Sequence, residues 1–378
     1  MRTVGQRIKE LREQRGLTQS DLAKELFDRT YISRIESGKL VPPLVTLELL
    51  ADRMSVPLSV LIDGDHGSIE HLRQGRYALR EGVRLGSIVK VQYAWDSLID
   101  GPWSDDLLEA ALFLVSALGY RPDIVTVLQR TLTKYYQAAA GETPWELMVQ
   151  LGNAYFHLRQ WEYAVEAYNV VLRHHPPADI KMRTMSNLAT TYLAARQIET
   201  AQQMFDRVLS EPWRKTDLLV ARCHHGLGTS YRRMGHLEEA RRHTIQSLTL
   251  YRSVDLTKWH EAYHNLGIIL ANAGRYDDAE AKLVTALAYY QEHRQYATMA
   301  SALVELTRVG VARKDYVKAM DYCNRGLGIP TDQVSATTTL QFLQLKTQIL
   351  PHVNGDAKDL IISPEMWAQL MTAVRRDS

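Results

Sequence analysis

The first forty residues carry the side chains best suited to contact a polyanion. They hold nine lysines and arginines against six acidic residues, a net charge of +3, whereas residues 41–66 carry a net charge of −3. Arginine can donate two parallel hydrogen bonds to O6 and N7 of guanine, and several polar side chains can bind phosphate oxygens. The whole chain has a net charge of only +2. Any binding of nucleic acid must therefore depend on this local surface and not on bulk charge.

A second set of residues has the pattern of a catalytic site. His260, Glu261 and His264 form the H-E-x-x-H pattern, which on a helix places two imidazoles on one face beside a glutamate, as in zinc hydrolases. No third ligand follows in a recognisable context, because Glu280 belongs to the next helix at a packing position. We therefore expect no catalytic site, no metal and no cofactor. A zinc hydrolase remains the alternative from another functional class.

The N-terminal basic residues must be positioned by short helices. Apolar residues at helical spacing predict a first helix that ends at Gly16. Thr18 is a predicted N-cap with Asp21 three residues on, a variant of the capping box. A third helix is expected to stop at Gly38, which suits a left-handed conformation. The five predicted helices cover residues 4–15, 19–23, 29–37, 46–54 and 58–62.

Residues 16–54 resemble the helix-turn-helix of phage repressors and of the larger XRE family. Ala23 stands where the second helix of that fold must approach the third closely. One departure is visible, because only four residues separate Leu26 from Tyr31 where the commonest family pattern has five, so the turn is one residue short. The positions that fill the small core of that fold are Leu17, Leu22, Ala23, Leu26, Ile32, Ile35, Leu47 and Leu50.

The resemblance implies that the third helix lies in the major groove of double-stranded DNA. Glu36 is expected to face away from the groove and to pair with an arginine of the first helix. The alternative is that these polar residues form a solvated face used for protein contacts. The candidates for base contacts are Arg29, Thr30, Tyr31, Ser33 and Arg34, and those for phosphate contacts are Gln19, Ser20 and Lys39.

Beyond residue 68 the sequence repeats itself. A leucine followed by a small residue, with an alanine 13 residues after the leucine, recurs at Leu151, Leu188, Leu227 and Leu266, and more weakly at Leu306. These leucines are 37, 39, 39 and 40 residues apart. The pattern resembles the tetratricopeptide repeat, in which small residues let helices A and B pack closely. We predict an all-α chain in which a five-helix domain precedes a right-handed superhelix of these repeats.

A polar, glycine-rich segment at residues 63–68 marks the first predicted domain boundary. The flanks of the repeats also have helical periodicity and are interpreted as degenerate repeats or caps, because helix pairs that cannot bury their own faces need neighbours. The predicted domains are a DNA-binding domain at 1–66, linker helices and degenerate repeats at 69–144, about five tetratricopeptide repeats at 145–336, and capping helices at 337–378.

The repeat resemblance also predicts which side chains line a concave groove. These side chains are polar, rich in amides and basic, which suits the backbone and the terminal carboxylate of an extended peptide. The alternative for Asn187 and Asn265 is that each holds neighbouring helices together. The predicted lining comprises Asn153, His157, Thr190, His225, Thr229, Arg232, Arg233, His264, Asn272 and Arg308, with Asn187 and Asn265 beside it.

A helix-turn-helix of this shape joined to such repeats resembles the RRNPP peptide-pheromone receptors of Gram-positive bacteria and their phages. The PlcR-like branch is the most similar, including the short turn and the ISRIESG run at residues 32–38. The resemblance implies a homodimer that binds a palindromic operator and regulates transcription in response to a short quorum-sensing peptide. By the same resemblance Asn153, Asn187 and Asn265 are candidate ligands of the peptide backbone. The alternative is a repeat scaffold that docks a partner protein, with DNA binding as a tether.

Composition favours a cytoplasmic protein that does not enter a membrane. No apolar run reaches the roughly 18 residues needed to span a bilayer, and the N-terminus lacks an apolar secretory core. Cys223 and Cys323 both lie within helical periodicity, so we predict small core residues and no disulfide.

Overall fold

A computed structural model describes residues 3–62, 66–138, 143–213, 215–330 and 332–353, and it contains helices and no strand within them. The predicted all-α class is confirmed. The chain divides into two compact units, residues 1–195 and 196–378. Residues 63–65 of the predicted boundary segment 63–68 and most of the predicted C-terminal cap, residues 354–378, lie outside the described residues, whereas residues 66–68 belong to a helix that begins at His66 and are not a loop. None of the described helices is long and apolar enough to cross a membrane.

The N-terminal domain has the five predicted helices and the predicted caps. Thr18 Oγ1 accepts a hydrogen bond from Asp21 N at 3.1 Å, and Thr18 N donates to Asp21 Oδ2 at 2.8 Å. Asp28 Oδ1 accepts from Tyr31 N at 2.9 Å and begins the third helix. Gly38 has a φ of 72°, as predicted for the end of that helix. The helices are α1 (Val4–Gln14), α2 (Gln19–Ala23), α3 (Arg29–Glu36), α4 (Leu44–Met54) and α5 (Leu58–Ile62).

Most residues predicted to fill the core of this domain do so. Leu22 and Ile32 have no exposed surface, and Ala23, the last residue of α2, is 2% exposed. The prediction for Leu26 is wrong, because this side chain is 37% exposed. Helix α2 ends at Ala23 and Glu25 takes a φ of 64°, so Leu26 no longer lies on the helical face that its spacing indicated.

Helix α4 begins two residues before the predicted start at Thr46. The first amide groups of a helix have no partner inside the helix. Here Leu44 N donates to the carbonyl oxygen of Trp103 at 2.8 Å. A residue 59 positions away in sequence therefore satisfies the first turn of α4, and local sequence could not show this.

Seven more helices complete the first unit. Consecutive helices pack against each other, and Trp95 Nε1 donates to Thr131 Oγ1 at 2.9 Å in a fully buried contact. A Cβ atom at Gly152 would overlap the ring of Tyr168, so this glycine permits the close approach of α10 and α11 that the repeat pattern predicts. The helices are α6 (His66–Leu85), α7 (Ile88–Ile99), α8 (Asp105–Leu118), α9 (Pro122–Ala138), α10 (Trp145–His157), α11 (Trp161–Arg173) and α12 (Ala178–Ala194).

The second unit is a stack of helix pairs with the predicted small residues at the points of contact. A Cβ atom at Gly228 would lie 2.5 Å from Thr244 Oγ1, and one at Gly267 would lie 2.7 Å from Leu283. Its helices are α13 (Ile198–Ser210), α14 (Asp217–Met234), α15 (Leu237–Val254), α16 (Leu256–Asn272), α17 (Tyr276–Glu292), α18 (Tyr296–Ala312), α19 (Tyr316–Leu327) and α20 (Ala336–Ile349), with a 3₁₀ turn at Leu350–His352.

Both cysteines lie in this second unit and are buried, and neither forms a disulfide. Cys323 Sγ donates to the carbonyl oxygen of Phe342 at 3.3 Å. Burial raises the pKa of the Cys323 thiol to about 11, so this thiol is protonated at neutral pH. The prediction that the two cysteines are small core residues is confirmed.

Gly5 is the point of closest approach between α1 and α3. A Cβ atom there would overlap the carbonyl oxygen of Ile35, and a backbone atom cannot rotate away. We expect Gly5→Ala to lower the free energy of unfolding of the N-terminal domain by about 2 kcal/mol, because overpacking forces a backbone shift. Hydrogen exchange of the α1 and α3 amides measures this. Lys9→Ala, at an exposed residue of the same helix, is the control, and equal protection in both variants would contradict the expectation.

Candidate nucleic-acid interface and ligand-binding face

Three of the predicted base-contacting residues lie exposed on α3. Arg29 and Thr30 occupy its first turn and Arg34 its last. Ile32 and Ile35 are fully buried on the opposite side and fix how α3 sits in the domain. The exposed face therefore presents two guanidinium groups and a hydroxyl on one rigid helix, which is the chemistry that reads base edges.

Tyr31 and Ser33 are less accessible than these three residues. Tyr31 is half-buried and its ring stacks on Phe27, with centroids 5.0 Å apart and an interplanar angle of 23°. Ser33 is also half-buried. Because the stack already occupies one face of Tyr31, only the edge and the hydroxyl of this residue are available for a base.

The predicted phosphate-contacting residues also differ in how exposed their side chains are. Ser20 and Lys39 are exposed at the ends of α2 and α3. Gln19 is half-buried, and its Nε2 donates to Glu36 Oε2 at 2.8 Å. The side chain of Gln19 is therefore already hydrogen-bonded inside the domain, whereas Ser20 and Lys39 face solvent.

A buried ion pair holds α1 to α3. Arg12 Nε donates to Glu36 Oε1 at 2.6 Å and Arg12 Nη2 donates to Glu36 Oε2 at 3.0 Å, with each residue 8% exposed. Arg12 Nη1 also donates to the carbonyl oxygen of Leu17 at 2.7 Å. The hydrogen bonds to Glu36 raise the pKa of Arg12 above its usual value. The prediction that Glu36 pairs with an arginine of the first helix is confirmed.

In the first unit, Asn153 and Asn187 belong to one hydrogen-bond network. Asn187 Nδ2 donates to Asn153 Oδ1 at 2.9 Å, and Tyr168 Oη donates to the same oxygen at 2.6 Å. Asn153 Nδ2 donates to Gln150 Oε1 at 3.1 Å. These bonds join α10, α11 and α12, which is the helix-holding role that the sequence left open for Asn187.

Two other predicted ligand residues of this unit lie near the network. The ring of His157, an exposed residue, stacks on Tyr120 with centroids 4.4 Å apart and an interplanar angle of 12°. Thr190 is half-buried, and its hydroxyl donates to the carbonyl oxygen of Ser186 at 2.9 Å. His157 can still contact a ligand through its exposed edge, and Thr190 Oγ1 keeps acceptor capacity.

In the second unit, Arg232 and Asn265 are bound to each other. Arg232 Nε donates to Asn265 Oδ1 at 2.9 Å. Asn265 is 7% exposed, and its Nδ2 lies 3.5 Å from Thr229 Oγ1 and 3.4 Å from Thr244 Oγ1. Burial lowers the pKa of Arg232, and Glu305 on α18 opposes this effect. Arg232 has no ion pair within the residues that the structure describes, so it is a partly desolvated cation without a paired anion.

His225 and His264 flank this pair and repeat one arrangement. The ring of His225 lies 6.2 Å from that of Tyr251, and the ring of His264 lies 6.1 Å from that of Tyr290, both at an interplanar angle of 65°. Among the described residues, three buried atoms of this set find no hydrogen-bond partner: His225 Nδ1, His264 Nε2 and Tyr290 Oη. Burial, with the charge of Arg232 among the other causes, lowers the pKa of both histidines to about 4.

We call Thr229, Arg232, Asn265 and the two histidines the polar face of α14 and α16. Three further predicted ligand residues of the unit are not part of it, and the first of them, Arg233, is exposed in the last turn of α14. Asn272 is exposed at the end of α16, and Arg308 is exposed and pairs with Glu305 at 2.6 Å. Tyr251, Tyr290 and Glu305 lie near the polar face but were not predicted from the sequence. A signal for the tyrosines was present, because His225 and His264 are 39 residues apart and so are Tyr251 and Tyr290.

The H-E-x-x-H residues do not converge. His260 Nδ1 donates to the carbonyl oxygen of Leu256 at 2.7 Å, and its ring stacks on Tyr289 with centroids 3.8 Å apart. Glu261 pairs with Lys258 at 2.7 Å. Within the described ranges, no group of three or more histidine, cysteine or acidic side chains is arranged to hold a metal ion. The geometry favours packing and ligand-contacting roles for these residues.

The buried His264 makes the stability of the second unit depend on pH. The pKa of His264 in the folded protein is below its usual value of 6.5. The neutral side chain therefore contributes fully to the free energy of unfolding above pH 6.5, and this contribution is lost as the pH falls toward 4. Between pH 7 and pH 5 we expect the free energy of unfolding of wild type to fall by about 2 kcal/mol more than that of His264→Leu. Urea unfolding at both values measures this. His236→Leu, at an exposed histidine, should keep the wild-type dependence, and equal pH dependence in wild type and His264→Leu would contradict the expectation.

Comparison with known families identifies the two kinds of domain. Residues 8–61 match a helix-turn-helix family model. Residues 146–178 match one tetratricopeptide-repeat model, and residues 220–254 and 261–293 match another. The chain thus combines an XRE-type helix-turn-helix with tetratricopeptide repeats, as the sequence predicts.

Known proteins resemble the chain in parts. The immunity repressor protein of Bacillus phage phi105 is 41% identical over 61 residues, which is 16% of this chain and 42% of the repressor, so less than half of that protein is matched. A Rap protein in complex with competence and sporulation factor aligns over 82% of this chain and 88% of its own, with 18% identity and a TM-score of 0.51. The APC/C hetero-tetramer Cut9-Hcn1 aligns over 90% of this chain and 58% of its own, with 13% identity and a TM-score of 0.56. At these identities the two structures support the fold alone.

Proposed function

We propose that the chain is a sequence-specific DNA-binding transcription regulator whose repeats bind a short signalling peptide. The observation that carries the first half is the exposed face of α3, where Arg29, Thr30 and Arg34 stand on a helix fixed from behind by buried isoleucines and the Arg12–Glu36 pair. The 41% identity to a phage immunity repressor over 61 residues supports it. The regulator would work without enzymatic activity.

The polar face of α14 and α16 supports a peptide ligand. An extended peptide offers backbone donors and acceptors at regular intervals and ends in a carboxylate. Arg232 can bind such a carboxylate by a charge-assisted hydrogen bond, since its charge is unpaired and partly desolvated. The unpartnered nitrogens of His225 and His264 can accept or donate according to tautomer, and a bound peptide would remove the cost of leaving them unsatisfied.

The asparagine pair of the first unit is proposed as a second place of contact with the peptide. The oxygen of Asn153 already accepts two hydrogen bonds, and its Nδ2 is engaged as well, so a peptide would have to displace an internal bond or use the exposed edge of His157. The larger share of ligand affinity is therefore assigned to the second unit. Thr190, Asn272 and Arg308 remain proposed contacts of lesser weight.

Further features of the proposal follow the RRNPP resemblance. The regulator would act in the cytoplasm as a homodimer, because a palindromic operator matches a twofold-symmetric protein. The Rap protein complexed with competence and sporulation factor has the same kind of fold, and its complex is the reason for proposing a signalling ligand here. Sedimentation of the full-length chain with and without operator DNA tests the dimer.

Arg232 gives the sharpest test of the peptide site. Full-length protein is used to select ligands from a random library of short peptides with free carboxyl termini. We expect Arg232→Met to weaken the selected peptide about tenfold or more, because one charge-assisted hydrogen bond is lost from a partly desolvated site. Arg241→Met, at an ion-paired arginine on α15, is the matched control and should bind as wild type does. Equal affinity of wild type and Arg232→Met would place the ligand elsewhere.

A further inference from the structure

A cavity of about 290 Å³ lies where the helix-turn-helix meets the helices that follow it in the first unit. We call it the joint cavity. The DNA-binding side contributes Val4 from α1, Val41 from the loop before α4, and Leu47 from α4. The volume is just below the range of about 300–1,000 Å³ that is typical of drug-sized ligands, so a smaller molecule would fit.

The opposite wall of the joint cavity is more polar. His71, Ser97 and Lys134 lie on it, together with the backbone of Gly101. Lys134 Nζ donates to the carbonyl oxygen of Gly101 at 2.9 Å, which uses one of the three donors of an ammonium group. Leu72 adds apolar surface beside them, and Asp100 also lines the cavity, so the wall carries one cation and one carboxylate next to a mostly apolar space.

The charge of Lys134 has no paired anion. In the part of the chain that the structure describes, this residue forms no ion pair, and burial lowers its pKa. Asp100, the acid that lines the joint cavity, has a side chain 87% exposed and pairs with Arg130 at 3.4 Å. Arg130 does not line the joint cavity, but its pairing with Asp100 leaves Lys134 as the cation without a paired anion among the described residues, which favours an anionic occupant.

We propose that the joint cavity binds a small monocarboxylic acid with an apolar body. Its carboxylate would accept hydrogen bonds from Lys134, and its body would pack against Val4, Val41 and Leu47. This site lies in the first unit and differs from the proposed peptide site on the polar face of α14 and α16. It gives the protein a second class of ligand, a small organic acid, that the peptide proposal does not require.

The position of the joint cavity gives such a ligand a consequence for the DNA-binding domain. At the same junction Leu44 N donates to the oxygen of Trp103, and Arg76 pairs with Glu48 at 3.1 Å and with Asp106 at 2.8 Å. A ligand in the joint cavity touches both sides of this junction. Because it can bind only while both walls are in place, it stabilises the docked position of the helix-turn-helix.

Octanoate is a suitable probe, with 1-octanol as its uncharged counterpart. We expect calorimetric titration of the full-length protein to show saturable octanoate binding, and Lys134→Met to weaken it about tenfold or more, since a charge-assisted hydrogen bond is lost. Binding of 1-octanol should be weaker in wild type and unchanged in Lys134→Met. Hydrogen exchange of α1 and α4 should slow when octanoate is bound.

Lys90→Met is the matched control, because Lys90 is exposed on α7 and does not line the joint cavity. It should bind octanoate as wild type does. No saturable binding of octanoate by folded wild type would overturn the proposal, and so would equal affinity in wild type and Lys134→Met. These measurements use neither DNA nor peptide, so their failure would leave the proposed regulator function intact.

Discussion

Replacement of Glu36 by alanine is expected to lower the free energy of unfolding of the N-terminal domain by about 3–5 kcal/mol. The substitution leaves the guanidinium of Arg12, 8% exposed, without its buried anion and with only the exposed Glu13 beside it, and it also removes the acceptor of Gln19 Nε2. The loss is comparable to the whole stability of a small domain. Hydrogen exchange of residues in α1 to α4 measures it, and operator binding should be lost with it.

Glu13→Ala is the control for this prediction. Glu13 contacts the same arginine at 3.3 Å, but its side chain is 55% exposed. An exposed ion pair contributes about 0–1 kcal/mol, so this variant should keep both fold and DNA binding. If the amides of Glu36→Ala were as protected from hydrogen exchange as those of Glu13→Ala, the Arg12–Glu36 ion pair would not be what fixes α3.

The second large effect concerns recognition of DNA. Arg29→Ala and Arg34→Ala should each weaken operator binding by roughly tenfold to a hundredfold, because a bidentate contact to guanine is worth about 1–3 kcal/mol. Both side chains are exposed, and the fold should be unaffected. Fluorescence anisotropy with an operator selected from random double-stranded DNA measures the loss at fixed salt concentration.

The same titration distinguishes base contacts from phosphate contacts. Lys39→Ala should weaken all DNA sequences alike and reduce the salt dependence of binding, whereas the arginine variants should relax sequence preference. Arg73→Ala, at an exposed arginine of α6, should change neither. Unchanged operator affinity in both Arg29→Ala and Arg34→Ala would contradict the assignment of α3 as the recognition helix.

Local signals in the sequence were sufficient for the architecture of the N-terminal domain. Thr18 with Asp21 and the left-handed Gly38 are features of a few adjacent residues, and each confines a helix end by itself. A pairing of Glu36 with an arginine of the first helix could be predicted because Glu36 was expected to face away from the groove, but which arginine it would be, Arg12, was seen only in the structure. The small residues of the repeats were informative for the same reason, since a glycine at a fixed spacing leaves room for one neighbouring helix.

Features that depend on distant residues could not be predicted. Leu26 was assigned to the core by helical spacing, but α2 ends before it, and the spacing rule applies only within one helix. The start of α4 depends on a carbonyl from Trp103. The joint cavity likewise requires packing between segments as far apart as Val4 and Lys134.

The proposed ligand-binding residues could be predicted only in part. Repeat register placed His225, His264 and Asn265 on neighbouring helices, but it could not show which polar atoms are already used. The structure separates Asn153, which is held by four internal hydrogen bonds, from His264, whose Nε2 has no hydrogen-bond partner among the described residues. Side-chain type suggests what a residue can bind, and its partners decide whether it is available.

The central claim is that a ligand in the repeats changes how the helix-turn-helix binds DNA. Such coupling cannot exceed the difference in ligand affinity between the two states of the protein, and about 1–3 kcal/mol is typical. Operator affinity of the full-length protein is measured by anisotropy with and without a saturating selected peptide. We expect roughly a 5-fold to 150-fold change, in either direction, in wild type, and we expect Arg232→Met to need about tenfold or more peptide for the same change. A peptide that saturates wild type and leaves operator affinity unchanged would contradict the claim.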